Sequence, residues 1–297
     1  MIVGPTASGK TELSCSLASE IFEIVSADSV QVYRLLDIGS GKPDAAIRGR
    51  IRHHLIDIVE PDYPFSAGDF CRLAENACRE ITGRGKIPMF VGGTGLYIDS
   101  FFLGLSEIPD IEPSIREKLS GEMDERGPLS LYDELKSVDP VFAGRISAND
   151  RQRILRGLEV QRGTGRPLSS FFEGKRGFQS ERTLFIGLSD ERMIVRERIA
   201  RRVDSMIKQG LVEEVRSLRE MGFGPELKSM KSIGYWEINM FLDGALAMDE
   251  TVERIKINTG RYAKRQMTWF RRRNDVNWFR PGENEKIIDL IKEWIDN

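Results

Sequence analysis

Gly4-Pro5-Thr6-Ala7-Ser8-Gly9-Lys10-Thr11 decides how this chain is read. The order is Gly, four residues, then Gly-Lys-Thr, the spacing of a loop that wraps phosphate oxygens in backbone N–H groups. The glycines permit close approach and positive φ. Lys10 places a point charge on the terminal phosphates, and the Thr11 hydroxyl can hold Mg²⁺. Ile2-Val3 reads as the end of a strand. Thr11 to Ile21 reads as a helix whose N-terminal dipole adds to the anion site. The loop calls for a bound di- or triphosphate and leaves open what is done with it.

The 297 residues admit one large domain or two smaller ones. Hydrophobic content of 40% and charged content of 30% are those of a soluble globular protein. No run approaches the roughly 20 apolar residues that span a bilayer. Met1 leads straight into the phosphate loop without a signal peptide. A cytoplasmic monomer without a membrane partner is expected. Only Met1, Ile2 and Val3 precede Gly4, so the first strand is either short or continued upstream. Cys15, Cys71 and Cys78 are scattered, which suits a reducing compartment, and they read as packing residues.

A net charge of −2 excludes a polycation. Yet Arg254, Lys256, Arg261, Lys264, Arg265, Arg271, Arg272 and Arg273 fall in one stretch without a single acidic residue. Such a stretch suggests a docking surface for a polyanion. The alternative, a solvated helix face, usually alternates in sign.

Along the chain, 23–28 reads as a second strand that delivers Asp28 to the carboxyl edge of a parallel sheet, where ligands bind. Asp28 reads as a chemical group near the phosphates, or as the N-cap of a following helix. Asp37 to Pro43 is a turn-rich, substrate-side loop. His53-His54 opens a strand and points to both of its faces, so the pair is structural. Ser66 to Ile81 is an amphipathic helix. Ile87 to Val91 is an apolar strand that runs into Gly92-Gly93-Thr94. A P-loop hydrolase needs an acidic residue there to hold Mg²⁺ and position water. The glycine turn argues against an ATPase and for close backbone approach to a bulky ligand, with Thr94 pointing at it.

From 110 to 182 the pattern is helical only, with helices at 113–125, 130–137 and 150–164, the last ended by Gly165 and Pro167. A strand returns at 183–188. A long helix follows with an apolar stripe from Val195 to Leu211 and arginines, including Arg198, Arg201 and Arg202, on its other faces. Tyr262, Trp269 and Phe270 lie among the arginines of a last helix, which suits stacking on nucleic acid or packing beneath the helix. The fold class is α/β: a P-loop NTPase-like parallel sheet flanked by helices (1–109 and 183–297), with an inserted all-helical subdomain and a helical C-terminal region.

Two reaction classes use these parts. A P-loop kinase would employ Asp28 as base toward a small alcohol or phosphate, and leaves the basic C-terminal helix unexplained. Group transfer with diphosphate as leaving group, to a nucleic-acid acceptor, uses all of them. A nucleotide-binding module without catalysis is a third class, and leaves Asp28 and the Thr94 turn idle.

The chain resembles the tRNA dimethylallyltransferases (tRNA isopentenyltransferases). The resemblance rests on Gly-Pro-Thr-Ala-Ser-Gly-Lys-Thr at 4–11, Ser-Ala-Asp-Ser-Val-Gln-Val-Tyr at 26–33, Asp-Ile-Gly at 37–39 with Lys-Pro at 42–43, and His-His-Leu-Ile-Asp at 53–57. It continues with Val-Gly-Gly-Thr-Gly-Leu-Tyr at 91–97, Asn-Asp-Arg-Gln-Arg-Ile-Leu-Arg at 149–156, Ile-Gly-Tyr at 233–235 and Arg-Tyr-Ala-Lys-Arg-Gln-Met-Thr-Trp-Phe-Arg at 261–271. These stretches run in family order over nearly the whole chain.

The resemblance implies transfer of a dimethylallyl group from dimethylallyl diphosphate to N6 of the adenosine just 3′ of the anticodon, with Mg²⁺. By motif, Gly4, Pro5, Thr6, Ala7, Ser8, Gly9, Lys10 and Thr11 hold the diphosphate, and Thr11 the metal. Lys10, Thr11, Asp28 and Thr94 are catalytic, with Asp28 the base. Asp28, Ser29, Val30, Gln31, Thr94, Arg116, Gln152, Arg153, Ile154, Leu155 and Arg156 meet the tRNA anticodon stem-loop. A rival with free adenylate as acceptor would share the loop and the carboxylate but has little need of two basic regions. Similar sequences usually carry Gly-Met at Leu35-Leu36, Thr-Ala at Ser40-Gly41, and a basic residue at Trp236. Lys231, Arg198 or Arg202 is expected to supply that last charge.

Overall fold

A computed structural model describes residues 1–18, 21–173, 177–178 and 182–296. Two compact units emerge: Met1–Phe101 with Gln179–Asn297, and the insertion Phe102–Phe178. The insertion was expected over 110–182. Positions 174–176 and 179–181, near its far end, lie outside the described residues.

The first unit opens with β1 (Ile2–Val3), the phosphate loop and α1 (Lys10–Leu17). Helix α1 is shorter than expected: Ala18 is already extended, and 19–20 lie outside the described residues. There follow β2 (Phe22–Ala27), α2 (Ala45–Arg50), β3 (His53–His54), α3 (Ala67–Gly83), β4 (Ile87–Gly92) and α4 (Gly95–Leu103). Helix α3 starts where its sequence says it should. The Ser66 hydroxyl accepts from the Asp69 N–H, and the Asp69 carboxylate accepts from the Ser66 N–H, a complete capping box.

The insertion holds α5 (Pro113–Val138), α6 (Pro140–Ala143), α7 (Arg151–Thr164) and a 3₁₀ turn at Leu168–Phe171. Gly127, at φ 76°, and Pro128 break α5 into the two helices that the sequence suggests. Its core joins Leu119, Met123, Leu131, Leu135, Ala143, Ile154 and Leu158.

The chain then completes the first unit with β5 (Phe185–Leu188), α8 (Arg192–Lys208), α9 (Leu211–Glu220), α10 (Tyr235–Leu242), α11 (Met248–Phe270), β6 (Val276–Phe279) and α12 (Asn284–Asp296). The last strand and helix were not expected, though alternation at 276–279 and Ile287 with Ile291 carry their signal. Gly210, at φ 101°, separates α8 from α9, so Leu211 leaves the stripe assigned to the longer helix.

The six strands are parallel in the order β3-β2-β4-β1-β5-β6. Alternation along β4 divides the core. Met89 and Val91 join Ile2, Leu13, Ile24 and Ile287 under α1 and α12. Phe90 faces Phe101 of α4, which meets Phe70 of α3. Helices α1 and α4 thus leave neighbouring strands toward opposite faces, and a crevice opens beyond the carboxyl ends of β1 and β4.

Candidate active site

That crevice is a cavity of ≈ 820 Å³ lined by residues 6–12, the Asp28–Gln31 turn, Gly39–Gly41, Gly92-Gly93, and side chains from α8 and α11. The phosphate loop forms its floor. Ala7 and Gly9 stand at positive φ, 61° and 84°. Gly4 and Pro5, expected to hold phosphate, do not line the cavity. A Cβ on Gly4 would lie 2.4 Å from the Leu188 carbonyl oxygen, so this glycine seats the loop on β5. The Pro5 carbonyl accepts from Lys10 Nζ at 2.7 Å. Ser8 Oγ is buried and has no partner among the described residues. Burial lowers the Lys10 ammonium to about 8; Arg202 adds to this and Asp28 opposes it.

Asp28 leaves the end of β2 and starts no helix. Its Oδ1 accepts from the N–H groups of Val30 (2.9 Å) and Gln31 (3.4 Å), a side-chain turn that fixes the carboxylate at the cavity. Ser29 N–H donates to Thr94 Oγ1 at 3.1 Å, so the turns after β2 and β4 are tied together. The Gly92-Gly93 turn lines the cavity and is also packed closely by the protein itself. A Cβ on Gly92 would meet the Ala27 carbonyl oxygen at 2.2 Å, and one on Gly93 would meet Gln266 Nε2 at 2.0 Å.

The loop from Asp37 is held by a residue that the sequence did not single out. The Glu214 carboxylate accepts from the N–H groups of Asp37, Ile38 and Gly39 at 3.1, 2.7 and 3.2 Å and from the Tyr235 hydroxyl at 2.6 Å. Leu35 adopts φ 66°, a region costly for a branched side chain.

Arginines assigned to the outer faces of α8 turn inward: Arg198, Arg201 and Arg202 line the cavity. Lys231 and Arg265 join them, whereas Trp236 lines a separate depression. The three residues expected to replace the charge at Trp236 are therefore at the cavity. Arg198 pairs with Asp190 at 3.0 Å. Among the described residues, no carboxylate pairs with Lys10, Arg201, Arg202, Lys231 or Arg265. Val203, Met206, Ile233 and Ile255 supply an apolar wall. Tyr262 lines the cavity, and its hydroxyl is pushed up to about 12, chiefly by burial and further by the Asp28 carboxylate.

The basic stretch from Arg254 to Arg273 is less of a bare polycation than its sequence implies. Arg254 pairs with Glu250, Lys256 with Asp204 and Glu253, and Arg273 with Asp99 and Asp275. Trp269 is a packing residue: its ring covers Gly95 and its Nε1 donates to Asp99 Oδ2 at 2.6 Å.

In the insertion, Gln152 and Arg153 are exposed. Arg116 and Arg156 converge on the buried carboxylate of Glu159 at 3.2 and 3.0 Å. Ile154, expected at the tRNA, is 0% exposed in the core, and Leu155 packs against the same cluster. Their apolar side chains occupy the inward phase of α7, and only the polar phase remains for a ligand.

The IPP transferase family profile matches residues 31–273, and the Isopentenyl transferase profile matches residues 1–60. A tRNA dimethylallyltransferase 2 of Geotalea daltonii is 49% identical over 299 residues, 99% of this chain and 91% of the relative. A tRNA dimethylallyltransferase of Geobacter metallireducens is 48% identical over 98% of this chain and 95% of its own length. The solved tRNA isopentenylpyrophosphate transferase of Bacillus halodurans superposes with TM-score 0.70 at 38% identity, over 98% of this chain and 94% of that one. A eukaryotic dimethylallyltransferase acting on tRNA gives TM-score 0.82 at 28% identity, over 100% of this chain and 79% of its own. By these matches the chain belongs to the IPP transferase family, that of the tRNA dimethylallyltransferases.

Proposed function

We propose that this chain transfers a dimethylallyl group from dimethylallyl diphosphate to N6 of the adenosine 3′-adjacent to the anticodon of tRNA, and releases diphosphate. The observation that carries this is the charge pattern of the cavity. Lysine and arginine side chains without carboxylate partners surround the phosphate loop, the Asp28 carboxylate faces them, and an apolar wall stands beside both.

The diphosphate seats on Thr6 to Thr11, where loop amides and Lys10 meet the charge it gathers on leaving. The apolar wall takes the prenyl chain and keeps water from an allylic carbon that gains cationic character. The exocyclic amine of adenine is a poor nucleophile. Asp28 takes its proton as the C–N bond forms, which is worth about 10²–10⁴-fold. Thr94 and Gln31 orient the base, which must first leave its stack at a cost of a few kcal/mol. Arg116, Gln152, Arg153 and Arg156 give the insertion a tRNA surface.

Among the described residues no group of three or more His, Cys, Asp and Glu could hold a metal. A lone hydroxyl, Thr11, beside a phosphate site fits an ion held chiefly by phosphate oxygens and water, as Mg²⁺ prefers. When bound, Mg²⁺ would neutralise charge on the leaving diphosphate. Monomeric action in the cytoplasm belongs to the same proposal. Among the described residues no helix is long and apolar enough to cross a membrane.

The test is direct. The enzyme is incubated with tRNA and either carbon-labelled dimethylallyl diphosphate or γ-labelled ATP. Label from the first alone should reach tRNA. Label from ATP, or ADP release with a small acceptor, would establish a kinase instead, and equal prenylation of free AMP would remove tRNA as the acceptor.

A further inference from the structure

Gln266 lies on the inward phase of α11, 6% exposed, among Ile255, Ala263 and Phe270. An uncharged apolar residue would suit that position, and a buried amide there must satisfy both of its ends. Gln266 does so across two segments. Its Oε1 accepts from the Thr6 N–H at 2.8 Å, and its Nε2 donates to the Gly93 carbonyl at 3.0 Å. Both partners are backbone groups of fixed character, so only one orientation of the amide satisfies both. The Thr6 N–H belongs to the loop that takes the diphosphate. Gly93 precedes Thr94, whose hydroxyl accepts from the Ser29 N–H beside Asp28. One side chain therefore links the leaving-group site to the turn that carries the base.

We propose that Gln266 is a positioning residue, which sets the register between the leaving diphosphate and the Asp28–Thr94 acceptor site. This rests on the transfer reaction proposed above. The two half-sites come from different strand ends, β1 on one side and β2 with β4 on the other, and the amide clamps across them. Its loss leaves each half-site able to bind its ligand, while the reacting atoms lose alignment. A misplacement of about 1 Å costs on the order of 10²-fold in rate. The absent Cβ of Gly93 has the same origin, because the amide occupies that space.

Gln266→Glu and Gln266→Met test this in the full-length enzyme, with folding checked by thermal melting. Both variants should lower kcat about 10–100-fold, while the donor KM and tRNA Kd stay within about twofold of wild type. Gln266→Glu keeps the acceptor for Thr6 but sets a carboxylate oxygen against the Gly93 carbonyl. Protonation restores a donor there. The ratio of its kcat to that of wild type should therefore climb as pH falls from about 8 to about 6, and the methionine ratio should stay flat. If the methionine variant does not fold, the pH response of the glutamate variant decides alone. Unchanged kcat in folded variants, a rise in donor KM alone, or a flat glutamate ratio would overturn the proposal. Failure of the wild-type enzyme to prenylate tRNA would overturn the functional reading and this inference with it.

Discussion

Lys10 ties the chemistry of the phosphate loop to pH. Burial lowers its ammonium from 10.5 to about 8, with Arg202 pushing in the same direction and Asp28 against. In the ligand-free enzyme the side chain thus loses its proton within a range where an exposed lysine would remain charged. A bound diphosphate favours the charged form and restores the proton. With a free-state pKa of about 8, the protonated fraction is about 0.9 at pH 7 and about 0.1 at pH 9. Donor affinity should therefore fall about tenfold between those pH values, with uptake of about 0.9 proton per donor bound at pH 9. The sign follows from the shift: the group is charged below its free-state pKa, so binding is strongest on the acid side of 8 and weakens above it. Isothermal titration with dimethylallyl diphosphate, in buffers of different ionisation enthalpy, measures both quantities. Lys10→Arg keeps its charge throughout and should flatten the profile. Lys10→Met should bind weakly at every pH. A wild-type affinity that does not change from pH 7 to 9, with no proton uptake, would refute the reasoning, because Lys10 would then already be charged in the empty loop.

Asp28→Asn should reduce transfer by about 10²–10⁴-fold with tRNA binding retained; equal losses in turnover and in a tRNA binding assay would remove the base role. Charge reversal at Arg153 and Arg156 should weaken tRNA binding and flatten the plot of log K against log salt by about one unit per lost phosphate contact, and an unchanged slope would take this face of α7 out of the interface. Glu23, at the amino end of β2, is 3% exposed and contacts Arg84, His54, Arg52 and Lys86. The Arg84 hydrogen bonds chiefly hold its carboxyl at about 2, against an ordinary 4.5. Discounted for partners that are a third or more exposed, this contributes about 1–2 kcal/mol, present above pH 4.5 and lost as pH falls toward 2. Urea unfolding of Glu23→Gln should show that deficit at pH 7 and little of it near pH 2. Leu35→Gly relieves a left-handed leucine that is 42% exposed; the midpoint of unfolding should shift by less than about 1 kcal/mol, because relief of strain offsets the added freedom of the unfolded chain.

Elements with local causes were legible in the chain. Gly4 to Thr11 carried the loop in its spacing, the helix expected from Ser66 begins there, and the gap expected between the helices at 113–125 and 130–137 holds the break at Gly127-Pro128. Asp28 could be placed at a strand end because β2 is a short apolar run that stops there. Misreadings arose where a residue serves two neighbours at once. Ile154 stands in a motif of polar residues, and its burial depends on α5 across from it. The glycines at 92 and 93 suggested close approach of a ligand; both line the cavity, and the sequence could not show that Ala27 and Gln266 occupy the space a Cβ would take.

The sequence by itself determined the glycine-rich loop, the parallel α/β core and the family, because each depends on residues near one another or in a fixed order. Only the tertiary structure decided which faces of α8 and α11 look inward. A helical period fixes which residues share a face, but not which face another element covers when both carry charge. Arg198, Arg201 and Arg202 became cavity residues, and Gln266 became the link between two strand ends, because residues 260 positions apart in the chain are brought within one hydrogen bond.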